Sequence, residues 1–109
     1  DNGAIFREWF RHHRPDALLV THANPVLEWL KPVGLSAPPD FGLVTLVNDH
    51  PEQNQGGVYF DPAKLGALGI EMLIGLLHRD DTGVPTDQHE VLLTGEWLDG
   101  NTLKAPPLR

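Results

Sequence analysis

Two short apolar runs in this chain each end in polar residues suited to ligand contact. Ala17-Leu18-Leu19-Val20 leads into Thr21-His22, and Gly42-Leu43-Val44-Thr45-Leu46-Val47 leads into Asn48-Asp49. If both runs are co-directional strands, both polar pairs stand beyond the carboxyl edge of one sheet, where open α/β sheets bind their ligands. His, Asn and Asp together supply the donors and acceptors that a hydroxyl-rich molecule needs. Tyr59-Phe60 adds an aromatic face for a sugar ring to stack on. The expected ligand contacts are therefore His22, Asn48, Asp49, Phe60 and Asp61. Each competes with a plainer role in capping a helix or ordering a turn. The competition is strongest at Asp61, which precedes Pro62 in the order that starts a helix.

Other chemistries find less support. The adjacent His12 and His13 would point about 100° apart on a helix. The remaining four histidines show no ligand spacing, so no metal site is expected. With zero cysteines there is no disulfide, thiolate ligand or cysteine nucleophile. Asp49-His50 would be half of a hydrolytic pair, but the only serine, Ser36, lies between Leu35 and Ala37 without the turn that exposes a nucleophile. Gly66 and Gly69 fall inside a predicted helix and not after a strand, so they form no dinucleotide loop. Neither catalysis nor a cofactor is expected.

The elements that position these residues can be read from periodicity and breakers. Ile5, Phe6, Trp9, Phe10 and His13 recur at helical spacing, with Arg7, Glu8, Arg11 and Arg14 opposite, and Pro15 ends the helix. Both apolar runs read as strands buried on both faces. Asn24-Pro25 predicts the start of a short helix through Val26, Leu27, Trp29 and Leu30, with Asn24 as its cap. Residues 48–60 are polar and irregular, a length more often found in functional loops than in connectors. Asp61-Pro62 opens a long helix whose core stripe is Leu65, Leu68, Met72, Leu73, Leu76 and Leu77. Its glycines Gly66, Gly69 and Gly75 predict close approach to a neighbouring element. Glu90-Val91-Leu92-Leu93 predicts a last strand, and Trp9 and Trp97 predict packing residues. Helix, strand, helix, strand in the first half implies a parallel sheet covered by helices.

A length of 109 residues suits one domain or part of a larger one, and 40% hydrophobic residues suffice for a core. A net charge of −7 without a run of Lys or Arg argues against nucleic-acid binding by this chain itself. No apolar run reaches the roughly 20 residues needed to span a bilayer, and no signal peptide opens the sequence. The expected location is the cytoplasm.

In order and spacing, these pieces resemble the LacI/GalR family of transcriptional regulators. The resemblance rests on Arg14-Pro15-Asp16-Ala17-Leu18-Leu19-Val20 after the first helix and on Val33-Gly34-Leu35-Ser36-Ala37-Pro38-Pro39-Asp40 before the second strand. It continues in the Gly-containing helix from Leu65 to Leu73, the Gly83-Val84-Pro85 exit and the Gly100-Asn101-Thr102 tail. It implies a three-layer, parallel-sheet lobe of a type I periplasmic-binding-protein-like domain. Residues 1–109 would be most of the C-terminal lobe of an effector domain, without the helix-turn-helix that reads operator DNA.

The function implied is sensing of a small, sugar-like effector by a homodimeric regulator. Family members dimerise partly through the helix after the first strand, so Val26, Trp29, Leu30 and part of residues 51–58 are expected at the dimer interface. Where the family usually places Asn-Asp after the first strand, this chain has Thr21-His22-Ala23-Asn24. The alternative reading is a solute-binding protein of a sugar transporter, which shares the fold.

Overall fold

The computed structural model describes residues 1–106. Helix α1 spans Asn2–His13. The Asp1 carboxylate caps it by accepting from the Gly3 amide at 3.0 Å, and Arg11, His12 and His13 occupy its last turn, where cations suit the helix dipole. Arg14 closes it in the left-handed conformation (φ 47°), donating its amide to the Phe10 carbonyl at 2.8 Å. Strand β1, Ala17–Val20, follows, then helix α2, Ala23–Leu30, which runs into a short 3-10 turn at Lys31–Val33. Strand β2 covers Gly42–Asn48, β3 Gly57–Tyr59, helix α3 Pro62–His78, and β4 Glu96–Leu98.

The sheet order is β1-β2-β3-β4. The first three strands are parallel, with Leu18 beside Leu43 and Asn48 beside Tyr59, and β4 runs antiparallel to β3. This is the expected α/β, largely parallel architecture. Leu18 and Leu43 point to the face that α1 and α2 cover, and join Phe10, Ala23, Val26, Leu30 and Phe41 in the core. The aromatic rings continue it outward: Phe10 meets Phe41 edge-on at 5.4 Å, and Phe6 bridges Trp9 and Trp29 at 5.6 and 5.5 Å. Gly3 permits the contact between the two helices, because a Cβ there would come within 2.8 Å of the Trp29 ring.

Several expectations need correction. β1 and β2 are covered on one face only: Leu19 on the other face is 67% exposed. The α3 stripe has the predicted helical spacing but packs on no core: Leu68 is half-buried, and no residue of α3 is fully buried. Among the described residues, a Cβ added at Gly66 or Gly69 would meet no neighbouring element within 4 Å. The molecule is accordingly extended, with a radius of gyration of 19.6 Å against about 13 Å for a compact domain of this length. Glu90–Leu93 is not a strand. β3 offers only three residues for pairing, and Glu96–Leu98 take them, leaving Leu92 85% exposed. Trp9 and Trp97 are each about half exposed; the Trp97 indole donates to Asp99 at 2.9 Å.

The tail has a structural role that spacing alone did not reveal. The buried Thr102 hydroxyl donates to the Leu43 carbonyl at 2.7 Å and accepts from the Gly56 amide at 2.8 Å, while the Thr102 carbonyl accepts from the Leu43 amide at 2.9 Å. Residues 100–102 thus close the gap between β2 and the loop before β3.

Candidate functional site

The parallel register carries the carboxyl ends of β1, β2 and β3 to one edge of the sheet. The Val47 amide donates to the Thr21 carbonyl at 3.1 Å, and the Thr45 hydroxyl donates to the same carbonyl at 2.9 Å. Those bonds hold the Thr21-His22 turn alongside Val47-Asn48. The pairing of Asn48 with Tyr59 brings Phe60 and Asp61 to the same edge. All five predicted contacts therefore share one edge, although their side chains are not equally free.

His22 is exposed, and its extended backbone precedes α2 without a capping bond from the ring. The imidazole is thus open to a ligand. Asp49 is likewise open, its side chain 56% exposed with the His50 ring 3.9 Å away. Phe60 is 43% exposed and lines a cavity of about 190 Å³ with Tyr59, Asp61, Lys64, Thr94 and Glu96.

Asn48 and Asp61 are engaged elsewhere. Asn48 is only 3% exposed; its amide donates to the Gln55 carbonyl at 3.2 Å and its oxygen accepts from the His50 amide at 3.3 Å. A buried amide must be paired, and the loop after β2 pairs this one. Asp61 caps α3, accepting from the Ala63 amide at 2.9 Å, though it still borders the Phe60 cavity.

Asn24 is not the cap of α2. The helix begins at Ala23, and the Asn24 oxygen accepts from the Gln55 amide at 2.7 Å. Gln55, buried to 8% exposure, thereby ties the loop after β2 to α2. Sequence reasoning missed Gln55 because one polar residue in a polar loop gives no signal. Thr45 was discernible as the lone hydroxyl within an apolar run.

Val26 and Leu30, expected at a dimer interface, are 6% and 0% exposed in the chain's own core. Helix α2 turns them onto the sheet. Trp29 lies over Gly3 and Phe6 and keeps part of its surface accessible.

The edge is acidic. Burial pushes the Tyr59 phenol above its ordinary range, and Asp61, Glu96 and Glu52 push it further. Carboxylates at this density favour hydroxyl donors and disfavour anionic ligands. His50 sits 3.0 Å from Glu52, whereas Ser36 lies on the loop before β2, at the sheet's other end. Among the described residues, no three His, Asp or Glu side chains converge as a metal site, and no helix is long and apolar enough to cross a membrane.

A family model described as a periplasmic binding protein-like domain matches residues 2–103. The chain belongs to this family. No curated protein and no solved structure matches it significantly. Open parallel sheets carry their crevice beyond the carboxyl ends of the strands, and His22, Asp49 and Phe60 stand at that edge here.

Proposed function

We propose that this chain is the ligand-sensing portion of a LacI-type transcription regulator, and that it binds a small hydroxyl-rich metabolite, a sugar or close relative. The observation that carries the reading is the convergence of three parallel strand ends on one acidic edge, with His22 and Asp49 exposed there and Phe60 beside them. The imidazole and carboxylate would pair with ligand hydroxyls while the ring of Phe60 stacks. No catalysis, cofactor or metal enters this role, and the proposed location is the cytoplasm. The regulator reading draws further support from the Arg14-Pro15-Asp16 entry to β1 and the Gly100-Asn101-Thr102 tail. A solute-binding role in sugar transport fits the same family.

Operator DNA would be contacted by a helix-turn-helix elsewhere on the protein, and the working form would be a homodimer. With Val26 and Leu30 in the core, the accessible part of Trp29 and the loop at residues 51–54 are the surfaces of this region left for a second subunit. Ligand would act by favouring one arrangement of the dimer over another, which requires different affinities for the two.

The test is thermal-shift screening of the full-length protein against a sugar panel, followed by operator binding with and without the hit. A ligand at 100 times its dissociation constant adds about 2.7 kcal/mol of stability. A stabilising sugar that changes operator affinity supports the regulator. A stabilising sugar with no operator binding favours transport, and no stabilising sugar contradicts both.

A further inference from the structure

A second cavity, of about 650 Å³, opens at the opposite edge of the sheet, where Pro15-Asp16 lead into β1 and Asp40 precedes β2. Its volume lies within the usual span for small-molecule sites. Arg7, Arg11 and Arg14 follow one another at i, i+4 and i+7, so they form one face of α1, and all three line it. They are three of only eight Lys and Arg residues in a chain of net charge −7. Phe10, Leu30, Val33 and Leu35 supply an apolar floor and wall.

The charges around this cavity are not equally available. Arg11 is held by both oxygens of Glu8 at 2.8 Å, and Arg7 donates to the Trp29 carbonyl at 3.2 Å with Asp1 at 3.9 Å. Asp40 accepts from the Ser36 amide at 2.9 Å. Among the described residues, Arg14 has no carboxylate within ion-pair distance. Its backbone is fixed at the rim by the bond that closes α1. An unpaired guanidinium beside an apolar floor matches a carboxylate carried on an apolar body. The neighbouring Asp16 would repel a second negative charge.

We propose that this cavity binds a small monoanionic amphiphile, with its carboxylate on Arg14 and its aliphatic or aromatic body along Phe10, Val33 and Leu35. The site is separate from the carboxyl edge, so its failure leaves the sugar reading untouched.

The experiment is calorimetric titration of the full-length protein with octanoate, octanol and octylammonium. Octanoate should bind saturably, one per chain, and about tenfold or more tighter than either control. Arg14→Gln, at an exposed position, should remove that preference. Val33→Asp should weaken octanoate by blocking the apolar wall. In the unmutated chain, octanoate should shift the amide resonances of Arg14, Val33 and Leu35 and leave those of His22 and Asp49 in place. Equal affinity for octanol, an unchanged octanoate affinity in Arg14→Gln, or shifts confined to α3 or to the carboxyl edge would overturn the proposal.

Discussion

The Val47 amide donates to the Thr21 carbonyl across 3.1 Å, just past the last paired residue of β1. This bond extends the parallel ladder beyond Val20 and holds two strand ends level. Thr45, 1% exposed, reinforces it by donating its hydroxyl to the same carbonyl at 2.9 Å. Thr45→Val keeps the shape and removes that donor. The expected loss of stability is about 1 kcal/mol, read by urea denaturation, with ligand affinity reduced because the His22 turn loses one of its two fastenings.

Gly57 faces Thr45 across the β2–β3 register, at φ 154°. A Cβ at this position would collide with the Thr45 carbonyl oxygen. Gly57→Ala should therefore destabilise the chain by about 2 kcal/mol or more, with the same assay reporting it. A cost near zero would mean that β3 does not lie this close to β2.

Gln55 joins the loop after β2 to α2 through Asn24 at 2.7 Å and receives the Asn48 amide on its carbonyl. Gln55→Ala should cost about 1–2 kcal/mol. Hydrogen exchange should accelerate at the amides of Gly56 and His50, and those in α1 should keep their protection.

Tyr59 is the chain's one tyrosine, and its phenol is raised by burial first and by Asp61, Glu96 and Glu52 after it. Because the folded state favours the neutral phenol, this contribution to stability is full below the ordinary tyrosine value of about 10 and is lost as pH rises through the folded-state value. Ultraviolet titration should place the midpoint above that of free tyrosine. Glu96→Gln should lower the midpoint only partly, because burial is the larger cause.

The ends of β1 and β2 were legible in the sequence because apolar runs bounded by breakers admit few readings, whereas β3, three residues at the end of a stretch that reads as an irregular loop, was not. The Asp61-Pro62 signal likewise placed the start of α3 correctly. What sequence could not supply was the partner of each apolar surface. Leu65, Leu73 and Leu77 have helical spacing, but periodicity records a face and not what covers it, and here they remain 51–60% exposed. Glu90–Leu93 has strand composition without a strand to pair with. Asn48 and Asn24 looked like ligand contact and helix cap. Both are engaged by Gln55, across the loop for Asn48 and across 31 residues for Asn24, and neither pairing is encoded in a local pattern. Trp29 suggested an interface, and the packing of Gly3 and Phe6 against it is likewise non-local.

The most direct test of the carboxyl-edge site is the dissociation constant of the stabilising sugar for the intact protein and for His22→Ala and Asp49→Ala. Both side chains are exposed, so both variants should keep the parent melting temperature. Each should bind about tenfold more weakly, and Arg14→Gln, at the other end of the sheet, should bind as the parent does. Unchanged affinity in both His22→Ala and Asp49→Ala would contradict the site.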